Sequence, residues 1–116
     1  MKKHRPLKEL PQVVRVLMLE GCLLVGGGCS WFIFEKEEYP KDFDILIPPS
    51  KIQTSLAVAT MLACPVSINS FGGIKLESVP TVDLIPLSLE EFIKISTTFK
   101  ACSINPFRII RWENSV

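Results

Sequence analysis

Apolar and polar residues recur with two different periods along the chain, and this pattern predicts a mixture of helices and strands. Residues 10–20 carry apolar side chains at helical spacing, which form one stripe. Pro11 suits the first turn of this helix, and Gly21 suits its end. Shorter apolar runs have the length of strands. These strands are predicted at residues 22–25, 42–47, 66–70, 74–77 and 81–85, with Gly72-Gly73 as a hairpin turn.

Capping residues mark the remaining helices. A serine followed three residues later by glutamine or glutamate predicts a capping box. This pattern occurs at Ser50, with Gln53. It occurs again at Ser88, with Glu91. The two boxes predict helices over residues 51–63 and from 88 to about 95. A further short helix is predicted over residues 29–34, after a tight glycine turn over 26–28.

The order of these elements predicts the fold class. Helices and strands follow one another along most of the chain, so we expect an α/β (α+β) domain with helices packed on a small mixed β-sheet. Beyond residue 100 the periodicity is weak, and the apolar residues there predict a last strand or helix that docks on the core: Phe107, Ile109, Ile110 and Trp112. The predicted single domain has a basic tail over 1–9, a core over about 10–95 and a C-terminal docking segment over 100–116.

Composition narrows the class of protein. The chain has 116 residues, of which 47% are hydrophobic, and a formal net charge of +1, so its bulk charge does not indicate nucleic-acid binding. The basic cluster near the N-terminus is open to two readings, a solvated tail or a phosphate contact.

Four widely spaced cysteines without a Cys-x-x-Cys pair predict reduced thiols and a cytoplasmic protein rather than a zinc site. Charges and prolines interrupt every stretch that could form a signal peptide or a membrane span.

Two aspartates stand in the middle of a predicted strand. Asp42 and Asp44 are separated by Phe43 and followed by Ile45, although aspartate is depleted in strands. Because side chains alternate between the two faces of a strand, both aspartates share one face and the apolar residues share the other. Two neighbouring negative charges repel each other, and a divalent cation such as magnesium, which prefers oxygen ligands, would relieve this repulsion. The alternative is an exposed edge strand with two solvated aspartates.

Two further features support a site around this pair. Asp83 stands in the apolar run 81–85 and points away from the face that Val82 and Leu84 share. It is either a structural hydrogen-bond acceptor or a third metal ligand beside the pair. The glycine turn at 26–28 lies between a predicted strand and a predicted helix, a position in which backbone approaches phosphate in many proteins. About half of such turns serve only as bends.

Together these residues resemble the nucleotidyltransferase superfamily, which includes DNA polymerase beta, poly(A) polymerases, CCA-adding enzymes and the minimal nucleotidyltransferases of toxin–antitoxin systems. The family pattern is an apolar strand followed by glycines, an Asp-x-Asp pair and a later acidic residue. Residues 23–28, residues 40–45 and Asp83 match its three parts, and the 13 residues between Gly28 and Asp42 are close to the family's spacing. The resemblance covers roughly residues 10–92.

The resemblance implies transfer of a nucleoside monophosphate from ATP or another NTP to a protein or RNA hydroxyl, with two magnesium ions. Asp42 and Asp44 are then expected to hold both ions and, through them, the triphosphate, while Asp83 holds the ion that activates the attacking hydroxyl. The chain lacks the large helical domain with which polymerases grip nucleic acid, so a processive polymerase is not expected.

The same resemblance assigns the phosphate contacts. Gly27, Gly28 and Ser30 are expected to touch the β- and γ-phosphates. Lys51, near a predicted helix N-terminus, is an alternative phosphate contact. Lys41 adjoins the aspartate pair but is placed on the opposite strand face and receives no role.

Two other readings stay open at the level of sequence. In one, the fold is kept without catalysis, and the chain is an antitoxin-like or regulatory binding module that acts through a partner such as a toxin-like protein. The hydrophobic C-terminal segment would then be an interface rather than part of the core. In the other, the chain is a plain α/β domain whose aspartates are structural.

Overall fold

The computed structural model describes residues 4–68, 73–98, 101–105 and 108–112, and it has the predicted α+β fold. Within these residues there are four α-helices, α1 to α4, at Gln12–Leu19, Gly26–Phe32, Ile52–Met61 and Leu89–Thr98. Seven strands, β1 to β7, lie at Leu23–Val25, Asp42–Ile47, Val66–Ile68, Ile74–Leu76, Thr81–Pro86, Ala101–Asn105 and Arg108–Trp112. Short 3-10 turns precede α1, at Leu7–Glu9, and α3, at Pro49–Lys51. No helix in the described ranges is long and apolar enough to cross a membrane.

The strands form one mixed sheet in the order β3-β4-β5-β2-β1-β6-β7. The two central strands β2 and β5 are parallel, and all the other described neighbours are antiparallel. In the parallel pair Asp42 lies opposite Thr81, and Asp44 lies opposite Asp83. Because β2 and β5 each have a neighbouring strand on both sides, their backbones are held in place by hydrogen bonds from two directions.

Side chains of β2 alternate between the two faces of the sheet, and each face carries its own hydrophobic core. Phe43 and Ile45 are fully buried in the main core, against residues of α1, α2 and α3. Leu46 points to the other face of the sheet, where it packs with Leu23 and Ala101 under Phe92 of α4. The sheet is therefore covered by three helices on one face and by α4 on part of the other.

Several predicted boundaries are confirmed and others are wrong. The Ser88 capping box is confirmed: the Ser88 N–H donates to Glu91 Oε1 and the Glu91 N–H donates to Ser88 Oγ, each at 3.1 Å. The box predicted at Ser50 is wrong, because a 3-10 turn begins at Pro49 and no side chain caps α3. The tight turn predicted at residues 26–28 is also wrong, because α2 begins at Gly26 itself.

The C-terminal region contains more strand than the sequence predicts. Strand β6 was not predicted, and it pairs with β1 and with β7 in an antiparallel hairpin. The last apolar run forms strand β7 rather than a helix, while Phe107 lies outside the described residues. The predicted turn residue Gly72 and the end of the predicted strand 66–70 also lie outside them.

Candidate functional site

Three carboxylates converge on one face of the sheet. Asp42 and Asp44 occupy the first and third positions of β2, and Asp83 lies on β5 directly beside Asp44. One oxygen of each of the three side chains lies within 4.8 Å of those of the other two. Asp42 is exposed, and the other two aspartates are half-buried. All three aspartates that the sequence singles out are thus brought together.

The apolar partners of the aspartates determine this arrangement. Phe43 and Ile45 on β2, and Val82 and Leu84 on β5, are buried on the opposite face of the sheet. A shift of either strand by one residue would expose these side chains and carry the carboxylates into the main core. Burial of the apolar set therefore holds the carboxylates on the outer face.

The charges in this cluster oppose one another. The pKa of Asp44 is raised above its usual value, first by burial and then by the negative charges of Asp42 and Asp83. Lys75 on β4 lies directly opposite Asp83, so one cation adjoins the cluster on the β4 side. A set of three oxygen donors that lie this close together fits a hard divalent cation such as magnesium.

Each glycine at the start of α2 has a different environment. A Cβ on Gly26, whose φ is +67°, would lie 3.1 Å from Asp44 Oδ2, so this glycine lets the helix begin next to the carboxylates. A Cβ on Gly27 would meet nothing within 4 Å. A Cβ on Gly28 would lie 2.6 Å from Phe43 Cδ1, so Gly28 allows α2 to pack on β2.

The phosphate contacts predicted from the sequence are therefore only partly brought to the site. Gly27 faces open space beside Asp42, whereas the Cα of Gly28 faces the core. Gly26, which was not assigned a role, is the glycine that approaches a carboxylate. Its only signal in the sequence is its position directly after the apolar residues of β1.

Ser30 lies one helical turn beyond Gly26, and Lys51 lies past the far end of β2. Ser30 is on the second turn of α2, where its carbonyl accepts hydrogen bonds from the N–H groups of Glu35 and Lys36. Lys51 follows the C-terminal end of β2, whereas the aspartates lie at its beginning, and its Nζ pairs with Glu20 Oε1 at 3.4 Å. The structure does not bring Lys51 to the site.

A cavity of about 330 Å³ adjoins Asp42, between the start of α2 and the loop that leads into β2. Burial raises the pKa of the Tyr39 phenol at its wall. Lys41 precedes β2 and lines this cavity, so its predicted position on the opposite strand face is wrong. The complete lining is Gly27, Lys36, Glu38, Tyr39, Pro40, Lys41 and Asp42.

Sequence reasoning missed Lys36 and Tyr39. Both belong to a loop whose charged residues are typical of a solvated turn, and no periodicity marks them. Only the return of the chain from α2 to β2 places this loop beside Asp42. Comparison with protein-family models, curated proteins and solved structures found no match to this chain.

Proposed function

We propose that the protein is a magnesium-dependent nucleotidyltransferase, which transfers a nucleoside monophosphate from ATP or another NTP to a hydroxyl of a protein or RNA. The observation that supports this proposal most directly is the convergence of Asp42, Asp44 and Asp83 within 4.8 Å on one face of the sheet. The order of the elements also supports it: an apolar strand is followed by glycines, an Asp-x-Asp strand and a later strand with an acidic residue, as the resemblance implies.

The three carboxylates are a suitable donor set for two magnesium ions. Asp42 and Asp44 would hold both ions, and Asp83 would hold one of them. When bound, such ions stabilise the attacking and leaving oxygens of an in-line displacement at the α-phosphate. The protein's own contribution is to fix the carboxylates on two adjacent, buried strands, so that little reorganisation is needed when a ligand arrives.

The strand order gives the proposed site two sides. Helix α2 and the cavity lie next to the beginning of β2, and Asp83 lies on β5, which is the neighbour of β2 on the other side from β1. We assign the triphosphate to the cavity, where Lys36 and Lys41 supply two positive charges beside the carboxylates of Glu38 and Asp42. The acceptor hydroxyl is then assigned to the β5 side, next to Asp83.

Transfer of label tests this function. The purified protein is incubated with α-labelled ATP, CTP, GTP or UTP and magnesium, in the presence of host extract, and products are separated into protein and RNA. We expect label on one of these classes with the wild type, and loss of at least about 100-fold with Asp44→Asn. Glu90→Gln, which removes an exposed charge on α4, is the matched control and should transfer normally.

Two results would argue against the proposal. One is the absence of transfer with all four nucleotides and both acceptor classes, which would favour the non-catalytic binding module. The other is equal transfer by wild type and Asp44→Asn, which would show a contaminating activity. The size and nuclease sensitivity of the labelled product identify the acceptor.

A further inference from the structure

The N-terminal segment is attached to the far end of α2 through Arg5. The side chain of Arg5 is only 15% exposed, which is unusual for an arginine near a chain terminus. Its backbone N–H donates to the Phe32 carbonyl at 2.7 Å, and its Nε donates to the Trp31 carbonyl at 2.7 Å. The last carbonyls of a helix have no partner within the helix, so Arg5 provides a partner for the Phe32 carbonyl and a second one for the Trp31 carbonyl, which also accepts the Phe34 N–H.

The same guanidinium also contacts the loop over residues 33–41. Its Nη2 donates to the Lys36 carbonyl at 3.2 Å. Its Cζ lies 4.7 Å from the ring centroids of both Trp31 and Phe34, so the cation is held between two aromatic rings. Arg5 thus joins the end of α2, the start of the loop and the Lys36 backbone through one side chain.

The loop begins with an uncommon backbone conformation at the end of α2. Phe34 has a φ of 63°, and a residue with a large side chain rarely adopts this left-handed conformation. Phe34 is 47% exposed, so burial in the core does not fix this conformation. The end of α2 does: the Phe34 N–H donates to the Trp31 carbonyl at 3.1 Å, and the Glu35 N–H donates to the Ser30 carbonyl at 2.7 Å. The Arg5 guanidinium lies over the Phe34 ring at this helix end.

The loop that Arg5 holds carries the cavity wall. Lys36 and Tyr39 both line the cavity beside Asp42. Tyr39 packs edge-on with Trp31 at a centroid distance of 4.9 Å, and Trp31 is the ring on which Arg5 stacks. Two routes therefore connect Arg5 to the cavity, one through the Lys36 carbonyl and one through Trp31 to Tyr39.

We propose that Arg5 is a positioning residue, which holds the loop over residues 33–41 so that Lys36 and Tyr39 form the wall of the nucleotide cavity. The assignment of a nucleotide to this cavity rests on the proposed function. The hold on the loop itself rests on the contacts of Arg5 alone.

Hydrogen exchange of the amides tests the hold on the loop without any assumption about activity. Arg5→Ala is compared with the wild type and with Lys8→Ala, which removes an exposed cation from the same segment. In Arg5→Ala we expect peptides that cover residues 33–41 to exchange at least about tenfold faster, while peptides from α3 and β5 are unchanged. Arg5→Lys keeps the charge but loses the forked donors, and its loop should exchange at an intermediate rate.

Nucleotide kinetics test the consequence for the cavity. In Arg5→Ala we expect the KM for the nucleotide to rise about tenfold and kcat to stay within about twofold, because a displaced wall weakens ground-state and transition-state binding alike. Unchanged exchange over residues 33–41, or faster exchange over the whole chain, would overturn the proposal. A fall in kcat at constant KM would overturn it too. A wild type that binds no nucleotide would count against the proposed function, and the exchange result would still decide the role of Arg5.

Discussion

Asp44 and Asp83 lie side by side on parallel neighbouring strands, in the same register and on the same face of the sheet. Each strand places an apolar residue on either side of its aspartate, and those residues are buried on the opposite face. The two carboxylates cannot move apart without disturbing the main core. The repulsion between them is therefore a property of the folded protein and gives rise to measurable effects.

Replacing Asp44 by Asn should stabilise the metal-free protein at neutral pH. Because burial and two neighbouring charges raise the pKa of Asp44, the native state binds this proton more tightly than the unfolded state does. The stability that Asp44 contributes is complete below its usual pKa of 3.8 and is lost as the pH rises through the higher native pKa. Since Asp44 is only partly buried, we expect Asp44→Asn to raise Tm at pH 7 by about 2 °C.

Thermal unfolding in EDTA between pH 4 and pH 8 measures this effect. The gain in Tm for Asp44→Asn should shrink as the pH falls, because protonation of the wild-type carboxyl removes the charge that the substitution removes. Glu90→Gln should show no such pH-dependent gain. With magnesium in place of EDTA, ion binding should stabilise the wild type and not the variant. A large loss of Tm in Asp44→Asn would show instead that this carboxylate is structural.

The substitution Asp83→Asn should separate chemistry from nucleotide binding. In the proposed arrangement Asp83 serves the acceptor side and Asp44 serves both sides of the site. We expect kcat to fall by at least about 100-fold in Asp83→Asn while the Kd for the nucleotide with magnesium changes by less than about threefold. Asp44→Asn is the comparison, and it should lose both transfer activity and nucleotide binding. Equal losses of transfer and binding in Asp83→Asn would contradict its assigned role.

Three glycines in one helical turn allow a test of how α2 meets β2. Gly28→Ala should lower the free energy of unfolding by about 1–3 kcal/mol, because its Cβ would lie 2.6 Å from the ring of Phe43, which is fixed in the core. Gly27→Ala is the matched control: nothing lies within 4 Å of its Cβ, and alanine favours the helix. Chemical denaturation of the two variants measures the difference, and equal stabilities would contradict the close packing of α2 on β2.

The sequence predicts well the features that depend on residues only two to four positions apart. The alternation of aspartate and apolar residues in β2 places Asp42 and Asp44 on one face, and the same argument places Asp83. The capping box at Ser88 is also local, since its two hydrogen bonds join residues three apart.

The features that sequence misses depend on contacts between distant segments. Three consecutive glycines are typical of a turn, yet α2 begins at Gly26, and its close approach to Phe43 requires a residue without a side chain at position 28. The loop that carries Lys36 is held by Arg5, 31 residues away in the sequence. Neither contact leaves a periodic pattern, so the walls of the cavity are visible only in the folded protein.

The lysines of the cavity distinguish the observed site from the one expected from sequence. Lys36 and Lys41 line the cavity beside Asp42, whereas Lys51 lies at the other end of β2 in an ion pair with Glu20. Lys36→Ala and Lys41→Ala should each raise the KM for the nucleotide by about fivefold to tenfold, because each loses a cation near the phosphates. Lys51→Ala should leave the KM unchanged.

Salt provides an independent check on these lysines. If the two cations act on phosphates, the dependence of nucleotide binding on ionic strength should be weaker in the double variant Lys36→Ala/Lys41→Ala than in the wild type. This dependence is measured by titrating each protein with the nucleotide and magnesium at about 50 and 300 mM salt. A raised KM in Lys51→Ala with normal values in the other two variants would move the triphosphate to the opposite end of β2 and away from the three carboxylates.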